Sequence, residues 1–186
     1  MNAKHARIIL PVLVIMLLFA STAEALPTVA HDTMQGEVYV ASTSYWPAKY
    51  TTNNFDVPNG TVIFARYYAG IWSGGCSTTF NGHAFSLQSP SYYSSGMGVT
   101  WISYNVTDYV IPGQTNTAIT ASSCGDGRQY GSTLVVVLQN ESRPQIEYWV
   151  AEGIDWMHYG DFEGYEVNNY TTYFNGTVDP ADVQSA

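Results

Sequence analysis

The chain has 186 residues, a formal net charge of −9 and a pI near 4.5, a balance that disfavours nucleic acid and anionic lipid as partners. Charged residues make up only 11% of it, against roughly 25% in an ordinary soluble domain. Thr, Ser, Asn, Gly and the fifteen tyrosines must therefore cover much of the surface.

Residues 1–25 read as an export signal. Lys4, His5 and Arg7 form the charged start, Ile8 to Ala20 the apolar run, and Ala23-Glu24-Ala25 the small-residue exit, with cleavage expected after Ala25. The alternative, an uncleaved anchor helix, is disfavoured because that run is shorter than the roughly 20 residues a span needs. No second such run follows, and the end of the chain, Asp182 to Ala186, carries neither a hydrophobic tail nor a lipidation signal. The mature chain is expected to be secreted and extracellular, released or held by partners, without membrane insertion.

Residues 26–35 are expected as a flexible leader, and 36–151 as one domain with its own core. Gly36 to Ser42 reads as the first strand and Tyr50 to Val57 as an irregular second. The longest strand, Thr61 to Trp72, has apolar residues on both faces and is expected to be central and covered on each side. Cys76 to Leu87 contains a hairpin turning at Asn81-Gly82, because Asn-Gly supplies the two positive φ angles of a tight hairpin turn. Gln88 to Gly98 reads as a Ser/Tyr/Gly loop and Val99 to Val106 as a strand. One helical turn follows from Thr107 to Val110, stopped by Pro112-Gly113. Thr115 to Ser122, Gly131 to Leu138 and Ile146 to Val150 complete the strands. Many short strands with Gly, Pro, Asn and Ser between them point to an all-β fold, an antiparallel, jelly-roll-like β-sandwich. Residues 152–186, acidic and rich in aromatics, read as an extended C-terminal arm or edge-strand segment.

Cys76 and Cys124 are the two cysteines of an exported chain, so an internal disulfide is the default, with bridges between neighbouring copies as the alternative. Neither has a second ligand at metal spacing, apart from Cys76 with His83 across a hairpin, so no metal and no cofactor is expected. Five sequons mark Asn59, Asn105, Asn140, Asn169 and Asn175 as candidate N-glycosylation sites, all at expected loops or strand ends. The bland alternative is that they are unmodified turn residues. Gly70 to Gly74 is not a nucleophile elbow, because its serine is displaced. Glu147, Glu152 and Asp155 are acids of the kind a glycosidase uses, but solvated strand-end acids are far commoner, so no catalytic residue and no enzyme is expected. Trp72, Trp101, Tyr148 and Trp149 are expected in the core. Tyr92, Tyr93, Tyr130, Tyr165 and Tyr170 lie in polar surroundings suited to a protein interface or a glycan contact.

The segments GEVYVAS, GTVIFARYYAGIW, TTFNGHAF, VTWISYNVTDYVIPGQTNTAITAS, DGRQYGSTLVVVL, IEYWVAEGID and TTYFNGTVDPADVQSA together resemble a domain family of unknown function in secreted and cell-surface proteins of methanogenic archaea. The resemblance covers nearly all of residues 36–186. It implies an extracellular β-sandwich in an archaeal envelope with no established active site, and no functional residue carries over from it. A single lysine in the mature chain leaves few of the charges that guard sheet edges. The leading expectation is a structural subunit of an archaeal sheath, surface layer or fibre, whose partners are other copies of itself joined through strand edges. A monomeric carbohydrate-binding or adhesive module, with envelope glycans as partners, is the alternative.

Overall fold

The computed structural model describes residues 26–44, 48–72, 75–85, 91–94, 99–122 and 128–153. They form ten strands and one short 3-10 turn: β1 (Thr28–Ser44), β2 (Tyr50–Asp56), β3 (Thr61–Trp72), β4 (Cys76–Phe80), β5 (His83–Phe85), β6 (Ser91–Ser94), β7 (Val99–Asn105), the turn Thr107–Tyr109, β8 (Thr115–Ser122), β9 (Gln129–Gln139) and β10 (Gln145–Ala151). A six-stranded sheet runs β10-β1-β9-β3-β7-β6 and a four-stranded sheet runs β2-β8-β4-β5, every pairing antiparallel. The inner eight, β1-β9-β3-β7 facing β2-β8-β4-β5, have the strand order of a jelly roll.

Alternation explains which residues meet between the sheets. Ala65, Tyr67, Ala69 and Ile71 of β3 are buried, as are Leu134, Val136 and Leu138 of β9, and they face Phe55, Phe80 and Ala118 of the other sheet. Tyr67 is the hub, with ring centroids 6.1–6.3 Å from Phe55, Phe80 and Tyr104. Toward the Cys76 end the core turns polar and stays satisfied. Thr51 donates to Gln129 Oε1 at 3.0 Å, and Gln129 Nε2 donates to the Lys49 and Thr120 carbonyls at 2.9 and 3.1 Å. Asn53 donates to Ser132 Oγ at 3.0 Å, and the Tyr67 and Thr120 hydroxyls lie 2.9 Å apart. Paired this way, buried polar groups avoid the cost of desolvation and fix the register of one sheet on the other.

The six-stranded sheet folds back on itself. The first half of β1 pairs with β10 (Gln35 opposite Gln145, Thr28 opposite Ala151), whereas its second half pairs with β9 (Gly36 opposite Gln139, Ser44 opposite Gly131). The change of partner falls at Gly36, where the Leu138 carbonyl oxygen occupies the place a Cβ would take, so only glycine admits the bend. Curling there brings Val29, Ala30, Met34, Ile146, Tyr148 and Val150 over Phe64, Val135 and Val137 on the outer face, a second small core. The segment expected as a flexible leader is thus a paired strand over Thr28–Gln35. Ser91–Ser94, expected within a loop, pairs with β7. The Asn81-Gly82 turn has φ angles of 47° and 82°, as its sequence requires, and the helical turn at Thr107–Tyr109 lies where it was expected.

Candidate interaction face

One side of β1 is open. Asn140 N donates to the Gln35 carbonyl and Gly36 N donates to the Pro144 carbonyl, at 2.9 and 3.1 Å. Gln35 therefore points its main-chain groups toward β9 and Gly36 toward β10. Because direction alternates along a strand, the N–H and C=O groups of Val38, Val40 and Ser42 point to the β10 side. β10 pairs only as far as Gln35, so no strand among the described residues reaches those groups. The side chains beside them are unusual for an edge. Val38 is 40% exposed and Val40 58% exposed, and no lysine, proline or bulge lies within Gly36–Ser44. Proteins ordinarily use such devices to blunt pairing with a second chain.

The outer face of the six-stranded sheet holds a carboxylate node. At the end of β10 the main chain is tied by Glu152 N donating to the Pro27 carbonyl at 2.9 Å, which turns the Glu152 side chain down onto β3 and β7. Its Oε1 accepts from the Tyr68 hydroxyl at 2.7 Å and from Ser103 Oγ at 3.2 Å. Arg66 Nε lies 3.2 Å away, close enough to balance the charge but out of line for a hydrogen bond. Glu152 is 2% exposed, and a carboxylate so buried is tolerable only with such partners. On the same face a β-bulge in β9, where Gly70 faces Gly131 and Ile71 faces Gln129, leaves Tyr130 as the extra residue. Tyr130 meets Trp72 edge to face at 6.5 Å, and the Arg128 guanidinium lies 6.0 Å from the Trp72 ring centroid. Trp101 lies against Gly70.

A family described as "Protein of unknown function (DUF3344)" matches residues 22–186. The chain belongs to that family. No curated protein and no solved structure matches it. The DUF3344 match begins before the first described residue, spans every described strand and includes residues 154–186.

The DUF3344 fold sorts the residues singled out in the sequence. Tyr130 is half-buried against Trp72 rather than freely exposed. The backbone of Tyr92 and Tyr93 lies in β6, at the edge of the same sheet, whereas Tyr165 and Tyr170 lie outside the described residues. Of the aromatics expected in the core, Tyr148 is buried, while Trp72, Trp101 and Trp149 are half-buried on or beside the outer face. Trp149 stacks on His31 with centroids 4.7 Å apart, and His31 Nε2 is 3.0 Å from Glu147 Oε1. The three acids considered for catalysis do not converge in the described part. Glu147 is engaged with His31, Glu152 with Arg66, Tyr68 and Ser103, and Asp155 lies outside. Phe80 faces His83 across the hairpin, so Cys76 sits four residues further along the strand and is not a ligand partner for that imidazole. Cys76 is buried in β4, opposite Ser122 of β8, with its Sγ 3.2 Å from the Tyr104 hydroxyl; Cys124 lies outside the described residues. Residues 1–25, with the expected cleavage site, and the sequons at Asn169 and Asn175 lie outside as well. Among the described residues no helix is long and apolar enough to cross a membrane.

Both the open edge and the carboxylate node escape a linear reading. The exposure of Val38 and Val40 depends on β10 leaving β1 at Gly36, and Glu152 meets partners 84 and 49 residues away. The one signal in the sequence was the scarcity of lysine, which pointed to unguarded edges without saying which.

Proposed function

We propose that this protein is an exported structural subunit of an extracellular archaeal cell-envelope assembly, a sheath, surface layer or fibre, that self-associates through strand edges. The observation that carries the reading is the side of β1 over Gly36–Ser44, where outward-pointing main-chain groups sit beside exposed Val38 and Val40 with no lysine, proline or bulge in the stretch, its one charged side chain, Glu37, being paired with Arg143 at 3.2 Å. An incoming strand gains a hydrogen bond at every second residue and a valine pair to cover, which is β-strand addition. The archaeal envelope rests on the resemblance of the sequence alone, and the export on the charged and apolar pattern of residues 1–25. Concentrated signal-free protein is expected to give regular sheets or fibres in electron micrographs. A uniform field of single small particles contradicts the reading.

A second reading has an observation of its own. Trp72, Tyr130, Trp101 and Tyr68 share the outer face of one sheet of a jelly roll, with Arg66 and Arg128 beside them, and aromatic platforms of this kind suit sugar rings. A monomeric carbohydrate-binding or adhesive module then loses glycan binding on Trp72→Ala while keeping its fold, and a glycan array without signal counts against it.

A further inference from the structure

The loops of the sandwich divide into two poles. At one, the β2–β3 turn, the β7–β8 connection and the β9–β10 turn meet: Gly113 N donates to the Val57 and Pro58 carbonyls, and Asn140 Nδ2 donates to the Asn59 carbonyl. The sequons of the described residues, Asn59, Asn105 and Asn140, all lie at this pole. At the other pole are Cys76, Lys49 and Arg128.

The three asparagines differ in the atom that would bear a sugar. Asn105 is exposed at the end of β7. Its Oδ1 accepts from Thr107 N at 3.2 Å and from Thr107 Oγ1 at 2.8 Å. Thr107 Oγ1 in turn bonds the main chain of Ala65, which holds the turn against β3. With its oxygen occupied and its nitrogen making no hydrogen bond among the described residues, the Asn105 carboxamide presents Nδ2 outward. Asn59 is likewise exposed, its Oδ1 resting against Gly113 and its Nδ2 without a described partner. Asn140 repeats the Asn105 turn, with Oδ1 accepting from Ser142 N at 3.0 Å and Ser142 Oγ at 2.7 Å. It is only half-exposed, however, and its Nδ2 is spent on the Asn59 carbonyl at 3.3 Å. A sugar there displaces a hydrogen bond that ties two turns together and crowds a glycan on Asn59.

We infer that Asn59 and Asn105 carry N-linked glycans and Asn140 does not, so that one pole of the sandwich is sugar-coated. The donor is an oligosaccharide joined through phosphate to a polyprenyl lipid. The bond from the sugar C1 to the phosphate oxygen breaks, a bond from Asn Nδ2 to C1 forms, and one Nδ2 proton leaves to base while the lipid phosphate departs with the electron pair. Any packing of copies then uses the strand edges or the opposite pole, and the unmodified Asn140 leaves clear the neighbourhood of Gln35, where the open side of β1 begins.

The inference rests on the export proposed above, but not on self-association. The test is glycopeptide mass mapping of the protein purified from its native source, with the N-terminal peptide read in the same spectra. Sugar-bearing peptides at Asn59 and Asn105 and a bare Asn140 peptide are expected, and Asn105→Asp, which keeps the Oδ1 that Thr107 bonds but removes Nδ2, lowers the intact mass by one glycan. A chain beginning at Leu26 with Asn59 or Asn105 bare, or with sugar on Asn140, overturns the inference alone. A chain that retains residues 1–25 and carries no sugar overturns export with it.

Discussion

Two side chains on opposite faces of the six-stranded sheet show how single residues hold it. Glu152 sits under Arg66, Tyr68 and Ser103, and its loss leaves the half-buried Arg66 guanidinium without its counter-charge. Glu152→Gln is expected to lower stability by about 2 kcal/mol, the range for hydrogen bonds to charged groups, as read from the urea midpoint. Arg66→Met in the same chain recovers part of that loss, because the orphaned charge is then gone; equal midpoints for Glu152→Gln and wild type contradict the role. Tyr104, on the inner face, is fully buried beside Cys76, and burial pushes its hydroxyl far above the ordinary tyrosine range. The native state therefore keeps a proton that the unfolded chain releases near pH 10. Stability from this group is complete below about pH 10 and declines above it, by up to about 1.4 kcal/mol per pH unit. In Tyr104→Phe the alkaline fall in the urea midpoint is expected to be shallower than in wild type; identical slopes contradict the assignment.

At the scale of elements, the strands that a linear reading located are those that either alternate with period two or run apolar without a break. The β2, β3 and β8 strands alternate over most of their length, whereas β9 is legible as a continuous apolar run and the hairpin from its Asn-Gly turn. Thr28–Gln35 does neither: His31, Asp32 and Thr33 are exposed in succession, and the stretch is a strand only because Gly36 folds it over β9 against β10. Trp72 and Trp149 looked like core residues because large aromatics bury well, yet the face they occupy is only half covered. Glu152 also moves a boundary. An arm expected to begin there starts no earlier than Ile154, since Glu152 is locked onto β3 and β7. We propose that residues 154–186 supply the strand that a neighbouring copy accepts. A chain ending at Gly153 is expected to stay folded, with an unchanged melting temperature, and to lose assembly; a truncated chain that still polymerises removes the arm from the account.

For the whole molecule, the two poles carry different chemistry. Among the described residues, the sequon asparagines lie at one end and Cys76 at the other. Cys76 is opposite Ser122, and two residues of chain limit Cys124 to about 7 Å of Cα travel beyond it. We propose an internal Cys76–Cys124 bridge, whose closure of the intervening loop contributes roughly 4 kcal/mol on the chain-entropy view. Non-reducing peptide mapping is expected to recover the two cysteines in one cross-linked peptide from monomeric protein, and reductant to lower the melting temperature. Covalent dimers in place of that peptide mean that the bridge joins copies.

The claim on which the account depends is that β1 accepts a strand along Gly36–Ser44, and one comparison tests it. Val40 points its N–H to the open side, so Val40→Pro removes a donor from that edge and none from the ladder with β9. Light scattering of the signal-free protein, wild type beside Val40→Pro, is predicted to show large assemblies for the first and monomers for the second at nearly equal melting temperatures. Wild-type protein that stays monomeric at every concentration, or assemblies that form equally well with proline at position 40, would contradict it.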